Sequence, residues 1–388
     1  MSAHVQRIAL TYDYPVYFTR DVFAPDNTDL VEAISRREPG RRHRLLVIVE
    51  RAVAEARPSV LEEVRGYAAR HRDRLALVAE PLVVAGGEAV KNDPAEVLRL
   101  QERLNALGMD RQSFVVVVGG GALLDMAGYA AATAHRGLRL VRLPTTVLGQ
   151  DDAGVGVKNG INMFGKKNFL GTFAPPFAVL NDAAFLATLS TRDKVAGMAE
   201  AVKVGLIRDG AFFDWLVSRA DDLAACEPEA LDCLIRRSAR LHLDHIATSG
   251  DPFELGSARP LDFGHWAAHK LESLSSYRLR HGEAVVIGMA LDAVYSARAR
   301  LLQDDVLEPI LGLLERLGLS LWDETLELVG AGGRPRVLDG LTEFREHLGG
   351  ELSVTFLAKI GWGIEAHDVS EDLMLEAMDA LRRRATDH

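Results

Sequence analysis

The chain has almost no cysteine: Cys226 and Cys233 are the only two in 388 residues. They fall close together in one helix-like stretch. They make neither a disulfide framework nor a zinc knuckle, and two reduced thiols in a cytoplasmic protein is the reading they support. An excess of positive charge is also missing. Lys and Arg number 45 against 55 Asp and Glu, for a net charge of −10. That argues against a nucleic-acid partner, which would require a basic face to neutralise phosphates. A small anionic substrate is still admissible, because a few local cations reverse the field inside a cleft. No uncharged apolar stretch approaches the roughly 20 residues of a membrane span. The N-terminal MSAHVQRIALTYDYPVYFTRDVF lacks a basic segment followed by an apolar run, so neither a membrane nor a secretory signal is expected. What remains, 48% hydrophobic and 26% charged residues, describes a globular protein long enough for two domains.

Residues 1–180 alternate short apolar runs with helix-forming stretches. The runs are LLVIV (45–49), LALVAEPLVV (75–84), FVVVV (114–118), LRLVRL (138–143) and FAVL (177–180). Near-continuous Val, Ile and Leu suit strands covered on both faces. Charged segments between them, such as 94–108, complete a βαβ pattern and predict a parallel sheet. From residue 191 the strand signal nearly vanishes until 352–361, and helices are expected over 193–218, 228–247, 263–274, 282–302 and 305–317. The fold class is therefore α/β, with a Rossmann-like nucleotide-binding domain at 1–190 and a mainly helical metal- and substrate-binding domain at 191–388. AGGRPR (331–336) reads as a surface loop.

After FVVVV comes Gly119-Gly120-Gly121 and then a helix. Glycine permits the tight strand-to-helix turn and lets backbone N–H groups approach a pyrophosphate at a helix N-terminus. This is not the G-x-G-x-x-G fingerprint, so the turn alone is weak evidence. Asp125 follows in the first helical turns. LLVIVE ends a strand at Glu50, an acid placed where ribose hydroxyls bind. The GGEAVK loop supplies Glu88 and Lys91, and PTT supplies Thr145 and Thr146. Together these favour NAD over a purely structural turn.

LDFGHWAAHKLE sets His265 and His269 at i and i+4 on one helix face. RLRHGEAVV opens the next helix at His281, and GMAEAVK carries Glu200 with Lys203 one turn on. Two imidazoles and one carboxylate give zinc three ligands and leave a fourth position open, which is a catalytic rather than a structural arrangement. Isolated histidine pairs are usually decoration. Here the neighbouring motifs favour a site. Lys203 and Lys270 read as helix-surface or ion-pairing residues, Phe212, Phe213 and Trp215 as core aromatics, and the closing ALRRRATDH as a solvated helix end.

The motifs GGG-x3-D, PTT-x4-DD, VG-x-K-x-G-x-N, GKKN-x-x-G, AE-x-x-K, GH-x3-H and HGEAV together resemble the sugar phosphate cyclases, typified by 3-dehydroquinate synthase, over nearly the whole chain. The resemblance implies that Glu200, His265 and His281 bind a metal, normally zinc, with cobalt an alternative. It implies NAD at Glu50, Glu88, Lys91, Gly119, Gly120, Gly121, Asp125, Thr145, Thr146 and Thr188, with Asp152, Lys158 and Lys167 at the cofactor's edge. Asp152, Lys158, Lys167, Asn168, Asp262 and His269 would surround a phosphorylated sugar. Lys158, His269, Asp152 and Lys203 are the candidates for catalytic work. The family is usually a homodimer, and Arg136 matches an arginine that reaches the neighbouring subunit's phosphate. The implied reaction is transient oxidation by NAD, phosphate elimination, reduction, ring opening and aldol closure to a carbocycle, with no net redox.

The sequence departs from dehydroquinate synthases at the substrate's carboxylate. A lysine seven residues before the aspartate of their DE-x-E motif becomes Asp244 here, before Asp251. Their DKK becomes FRE, with Arg345 at its centre, and Arg259 lies one residue from their carboxylate-binding arginine. Asp262 stands where they carry asparagine. KNGIN, FRE and FAPP look more like the valiolone-type branch, whose substrate, sedoheptulose 7-phosphate, has no carboxylate. Retention of His269 leans toward a 2-epi-valiolone synthase within it. A divergent 3-dehydroquinate synthase and an NAD-dependent polyol dehydrogenase are the alternatives.

Overall fold

A computed structural model describes residues 3–255, 260–347 and 352–387. Its strands are β1 (Val16–Thr19), β2 (His43–Glu50), β3 (Leu75–Leu77), β4 (Leu82–Val84), β5 (Phe114–Gly119), β6 (Arg139–Pro144), β7 (Lys158–Met163), β8 (Lys166–Phe173), β9 (Ala178–Asp182), β10 (Val354–Lys359) and β11 (Trp362–Ala366). Its first helices are α1 (Asp29–Ser35), α2 (Arg51–Ala56), α3 (Val60–Arg70), α4 (Pro94–Ala106) and α5 (Gly121–Thr133). The remainder are α6 (Thr191–Gly197), α7 (Ala199–Arg208), α8 (Gly210–Ser218), α9 (Ala220–Ala224), α10 (Pro228–Thr248), α11 (His265–Leu274), α12 (His281–Arg298), α13 (Asp304–Arg316), α14 (Asp339–His347) and α15 (Glu371–Asp387).

The expected parallel sheet forms, in the order β1-β9-β6-β5-β2-β3, with β4 also on β2. Its central strand shows why continuous apolar runs are required. In β5, Val116 and Val118 enter one core while Val115 and Val117 enter the other, so both pleat faces are covered. The run 75–84 is not one strand. It splits into β3 and β4, both pairing β2, with Glu80 and Pro81 between them. Pro cannot donate to a ladder, so the break falls there. The sequence also concealed an antiparallel hairpin, β7–β8, because its polar and glycine residues show no clear alternation.

A large core beyond the sheet gathers α7, α8, α11, α12 and α13. The expected helix 193–218 is three helices, α6, α7 and α8. Asp209 leaves helical geometry at φ −146° and caps α8 by accepting from Phe212 N. Phe212 and Phe213 are buried, with Trp215 packed beside them. Cys226 lies between helices in a left-handed conformation, Cys233 sits on α10, and both thiols are free. The 331–336 loop is anchored rather than loose, since Arg334 forks between Asp339 and Glu371. The end of α15 is likewise tied, through Arg384 to Glu308 and Glu315. Among the described residues no helix is long and apolar enough to cross a membrane.

Candidate active site

Three helices bring the metal-type donors together. Glu200 lies in the first turn of α7, His265 is the first residue of α11, and His281 is the first of α12. One ligand atom from each lies within 4.8 Å of the others. His265 Nε2 and His281 Nε2 are 3.6 and 3.4 Å from Glu200 Oε1. That oxygen is buried without a hydrogen bond, and a buried anion so placed calls for a cation. The outer ring nitrogens are spoken for. His265 Nδ1 lies 3.1 Å from the Phe263 carbonyl, and His281 Nδ1 lies 3.1 Å from Glu272 Oε2. Donation from both Nδ1 atoms turns both Nε2 atoms toward Glu200 and, once His281 gives up its second proton to an incoming cation, leaves both Nε2 lone pairs for it, with the second layer a metal ligand needs. The donor set fits a divalent cation.

Close backbone approach permits this geometry. Gly264 precedes α11 at φ +79°, and a Cβ there would stand 2.6 Å from Met289 N. A Cβ on Gly288 would stand 2.0 Å from Gly264 O. Asp292, buried on α12, accepts from Gly264 N and Trp266 Nε1 at 2.8 Å each and so holds the entry to α11. Burial raises its carboxyl to about 7.

Lys203 is not a surface residue. Its side chain is 5% exposed and its ammonium contacts Glu200 Oε2. Burial opposes its charge, but Glu200 and Asp152 outweigh that and raise it. Lys203 in turn holds the Glu200 carboxyl well below its ordinary range against burial. Burial pulls His281 down, yet Glu272 and Glu200 lift it to about 9. His269 lies beside this cluster, its ring 5.5 Å from His265 and 6.3 Å from His281. Burial and the nearby Lys167 keep it neutral.

Asp152 and Asp151 come from a π-helical turn at 149–153 after β6. Asp152 Oδ1 is 2.8 Å from His242 Nδ1 on α10. Asp151 is buried, neither of its oxygens has a hydrogen-bond partner, and burial with Asp152 and Glu200 pushes its carboxyl well up. Asp262 acts electrostatically on Lys203 and His265.

Residues expected to hold a nucleotide gather at the carboxyl ends of the sheet strands β2, β5 and β6. Glu50, at the end of β2, accepts from Gly120 N at 2.6 Å, so the acid bridges its own strand to the glycine turn. Burial raises its carboxyl. A Cβ on Gly119 or Gly120 would meet Glu50 at 2.8 Å or Thr146 at 3.2 Å. Glycine therefore keeps the backbone N–H groups of this turn open to close approach, as a phosphate-binding turn requires. Lys91 Nζ donates to Asp125 Oδ2 and Asn168 Oδ1, each at 2.6 Å. Glu88 accepts from Asn162, which also accepts from Asn168 N. Thr145 is buried at the end of β6, and Thr146 caps the following turn by accepting from Gly149 N. Thr188 is occupied locally, donating to Phe185 O.

The remaining candidates divide. Lys167 reaches in from β8 to both oxygens of Glu272, at 2.7 and 2.8 Å. Lys158 stands apart, 58% exposed, paired with Glu254 at 2.5 Å. Arg136 is exposed with a left-handed backbone, and Arg345 is exposed on α14. Arg259 lies outside the described residues.

Two family models match adjoining segments of the chain: 3-dehydroquinate synthase N-terminal over residues 81–196, and 3-dehydroquinate synthase C-terminal over 197–330. The chain belongs to the 3-dehydroquinate synthase family. The 2-epi-valiolone synthase of Actinosynnema mirum is 34% identical over 366 residues, covering 92% of this chain and 90% of that protein. The 3-dehydroquinate synthase of Halorhodospira halophila is 37% identical over 270 residues, covering 69% and 74%. Among solved structures, the 2-epi-5-epi-valiolone synthase ValA from Streptomyces hygroscopicus, with NAD+ and Zn2+ bound, matches at a TM-score of 0.86 and 28% identity. That match covers 98% of this chain and 100% of that one.

Within this family frame, sequence reasoning missed Glu272, His242, Asp151 and Asn162. Glu272 was findable, since it stands seven residues after His265 and so shares its helix face with His269. His242 was not, because only the packing of α10 against the 149–153 turn brings it to Asp152.

Proposed function

We propose that this protein is a sugar phosphate cyclase that converts sedoheptulose 7-phosphate to a C7 cyclitol, 2-epi-valiolone or a diastereomer, with loss of phosphate. The observation that carries the substrate choice is Asp244. It is exposed on α10, 4.0 Å from Arg240, at the position that corresponds by resemblance to the lysine that dehydroquinate synthases carry for their substrate's carboxylate. An aspartate there repels a carboxylate. The likeness to the 2-epi-valiolone synthase across 92% of the chain supports the same choice.

In this reading Glu200, His265 and His281 hold zinc, and the cleft around Glu50, Gly119 to Gly121 and Asp125 holds NAD. When bound, zinc supplies Lewis acidity to a substrate hydroxyl, and NAD supplies a hydride acceptor and donor within one turnover. The chain's own part is electrostatic and positional. Lys203 neutralises one side of Glu200, leaving the other for the cation. Lys167 and Asn168 face the phosphate. His269, kept neutral by burial and by Lys167, has a ring nitrogen able to accept a proton from the substrate and return it. Asp152, fixed by His242, orients a substrate hydroxyl. Arg136 has no hydrogen bond or ion pair to another described residue, and we assign it to the phosphate in the second copy of a homodimer.

Phosphate release, with NADH absorbance followed in parallel, tests this on sedoheptulose 7-phosphate and on 3-deoxy-arabino-heptulosonate 7-phosphate. Phosphate from the first alone, without net NADH, is expected. Phosphate from the second would make the enzyme a divergent 3-dehydroquinate synthase, and accumulating NADH would make it a polyol dehydrogenase.

A further inference from the structure

Glu272 is 3% exposed and is shared between two groups of different purpose. Both its oxygens face Lys167 Nζ, at 2.7 and 2.8 Å, and Oε2 also accepts from His281 Nδ1 at 3.1 Å. Lys167 belongs to the β7–β8 hairpin and His281 opens α12, so one buried carboxylate joins the cation on the hairpin to a metal-type imidazole on a helix. The turn between α11 and α12 makes this possible by folding residue 281 back onto residue 272, with Ser276 and Tyr277 in left-handed conformations.

We infer that Glu272 couples anion binding at Lys167 to metal binding at His281, so that an anion on Lys167 tightens the metal and the metal tightens the anion. The inference rests on the metal and phosphate assignments proposed above. Its sign follows from competition for one carboxylate. While Lys167 engages both oxygens, it draws off the charge that would otherwise polarise the His281 N–H. An anion that takes up Lys167 returns that charge to His281 and makes Nε2 a stronger donor. Conversely, a cation on Nε2 makes the Nδ1 proton more acidic, strengthens its bond to Glu272 and loosens Lys167 toward an incoming phosphate. Such linkage must be reciprocal. It would bring the metal to full strength only when the phosphorylated sugar is seated. Glu272 is thus a positioning residue, acting through Lys167 and His281.

The test is zinc affinity, measured by chelator competition on the full-length protein at fixed free zinc, with and without saturating inorganic phosphate. Phosphate should tighten zinc about tenfold in the unmodified protein. Glu272→Gln should weaken zinc by about 10- to 100-fold and abolish the phosphate effect. Lys167→Met, an independent check should the first variant fold poorly, should bind zinc in the absence of phosphate as tightly as the unmodified protein does in its presence. A phosphate effect of undiminished size in Glu272→Gln would overturn the inference, because phosphate would then be acting directly on the metal. Zinc bound tightly by the unmodified protein but indifferent to phosphate would also overturn it, while leaving the metal assignment intact. No zinc bound at all would remove both.

Discussion

The metal corner and the hairpin side of the cleft are built on opposite plans. At the corner, Glu200, His265 and His281 lie in the first turns of helices, and each has a partner: Lys203, the Phe263 carbonyl or Glu272. Those helices share one continuous hydrophobic core. Across the cleft, β7–β8 is a separate two-stranded ribbon. Its side chains include exposed Phe164 and Phe169, and two of its three lysines pair outward, Lys158 with Glu254 and Lys166 with Glu346, while Lys167 turns inward to Glu272. Two-stranded ribbons are only marginally stable alone. The difference separates precision from adaptability: donors that must meet closely sit on packed helices, and the residues proposed above to receive a sugar phosphate sit on a ribbon whose outer strand is largely open to solvent.

The largest effect should come from breaking the corner's ion pair. Glu200→Ala leaves the Lys203 ammonium buried without its nearest counter-charge, and it should cost about 3–5 kcal/mol of stability as well as zinc binding. Urea unfolding with zinc chelated checks this. A loss below about 1 kcal/mol would mean that Lys203 moves to solvent and the corner is as yielding as the ribbon.

Next comes a pH effect at Asp292. Its carboxyl is held at about 7 in the fold, against roughly 3.9 in an unfolded chain. The folded state therefore binds more protons between those values. This contribution is complete below pH 4 and is lost as pH rises through 7, by up to about 4 kcal/mol. The loss should appear as a difference in pH slope between the unmodified protein and Asp292→Asn. Equal slopes would show that the entry to α11 tolerates a charge.

A smaller effect, about 1–3 kcal/mol, is expected from Gly288→Ala, whose new Cβ would stand 2.0 Å from Gly264 O. The separation of α11 and α12 would then loosen zinc in proportion, read by the same chelator competition. Zinc affinity unchanged alongside lower stability would uncouple the site from the packing beneath it.

What could be read in the sequence divides along the same line. The strands of the sheet and most helices of the second region were legible because burial imposes apolar periodicity, and the three donors Glu200, His265 and His281 stood in motifs with telling spacing. The breaks at Glu80-Pro81 and at Asp209 were visible as residues but were overridden by the apolar runs around them. The β7–β8 hairpin was not legible, because a ribbon whose side chains bond to Glu88, Asn92 and Glu272 has no hydrophobic alternation to show. The same holds for His242, which only the packing of α10 brings to Asp152. Glu272 was open to view, seven residues from His265, but its partner Lys167 lies 105 residues away in sequence.

The smallest stability change should come from the ribbon. Lys158→Ala removes a half-exposed side chain whose pair with Glu254 is open to solvent, so stability should shift by no more than about 0.5 kcal/mol. If Lys158 serves only to hold the phosphate, KM for the sugar phosphate should rise by up to about tenfold with little change in kcat, because ground state and transition state lose the same contact. A fall in kcat of about a hundredfold with KM unchanged would instead make Lys158 a proton-transfer group. The ribbon would then share in the chemistry, and the division of labour between the two sides of the cleft would fail.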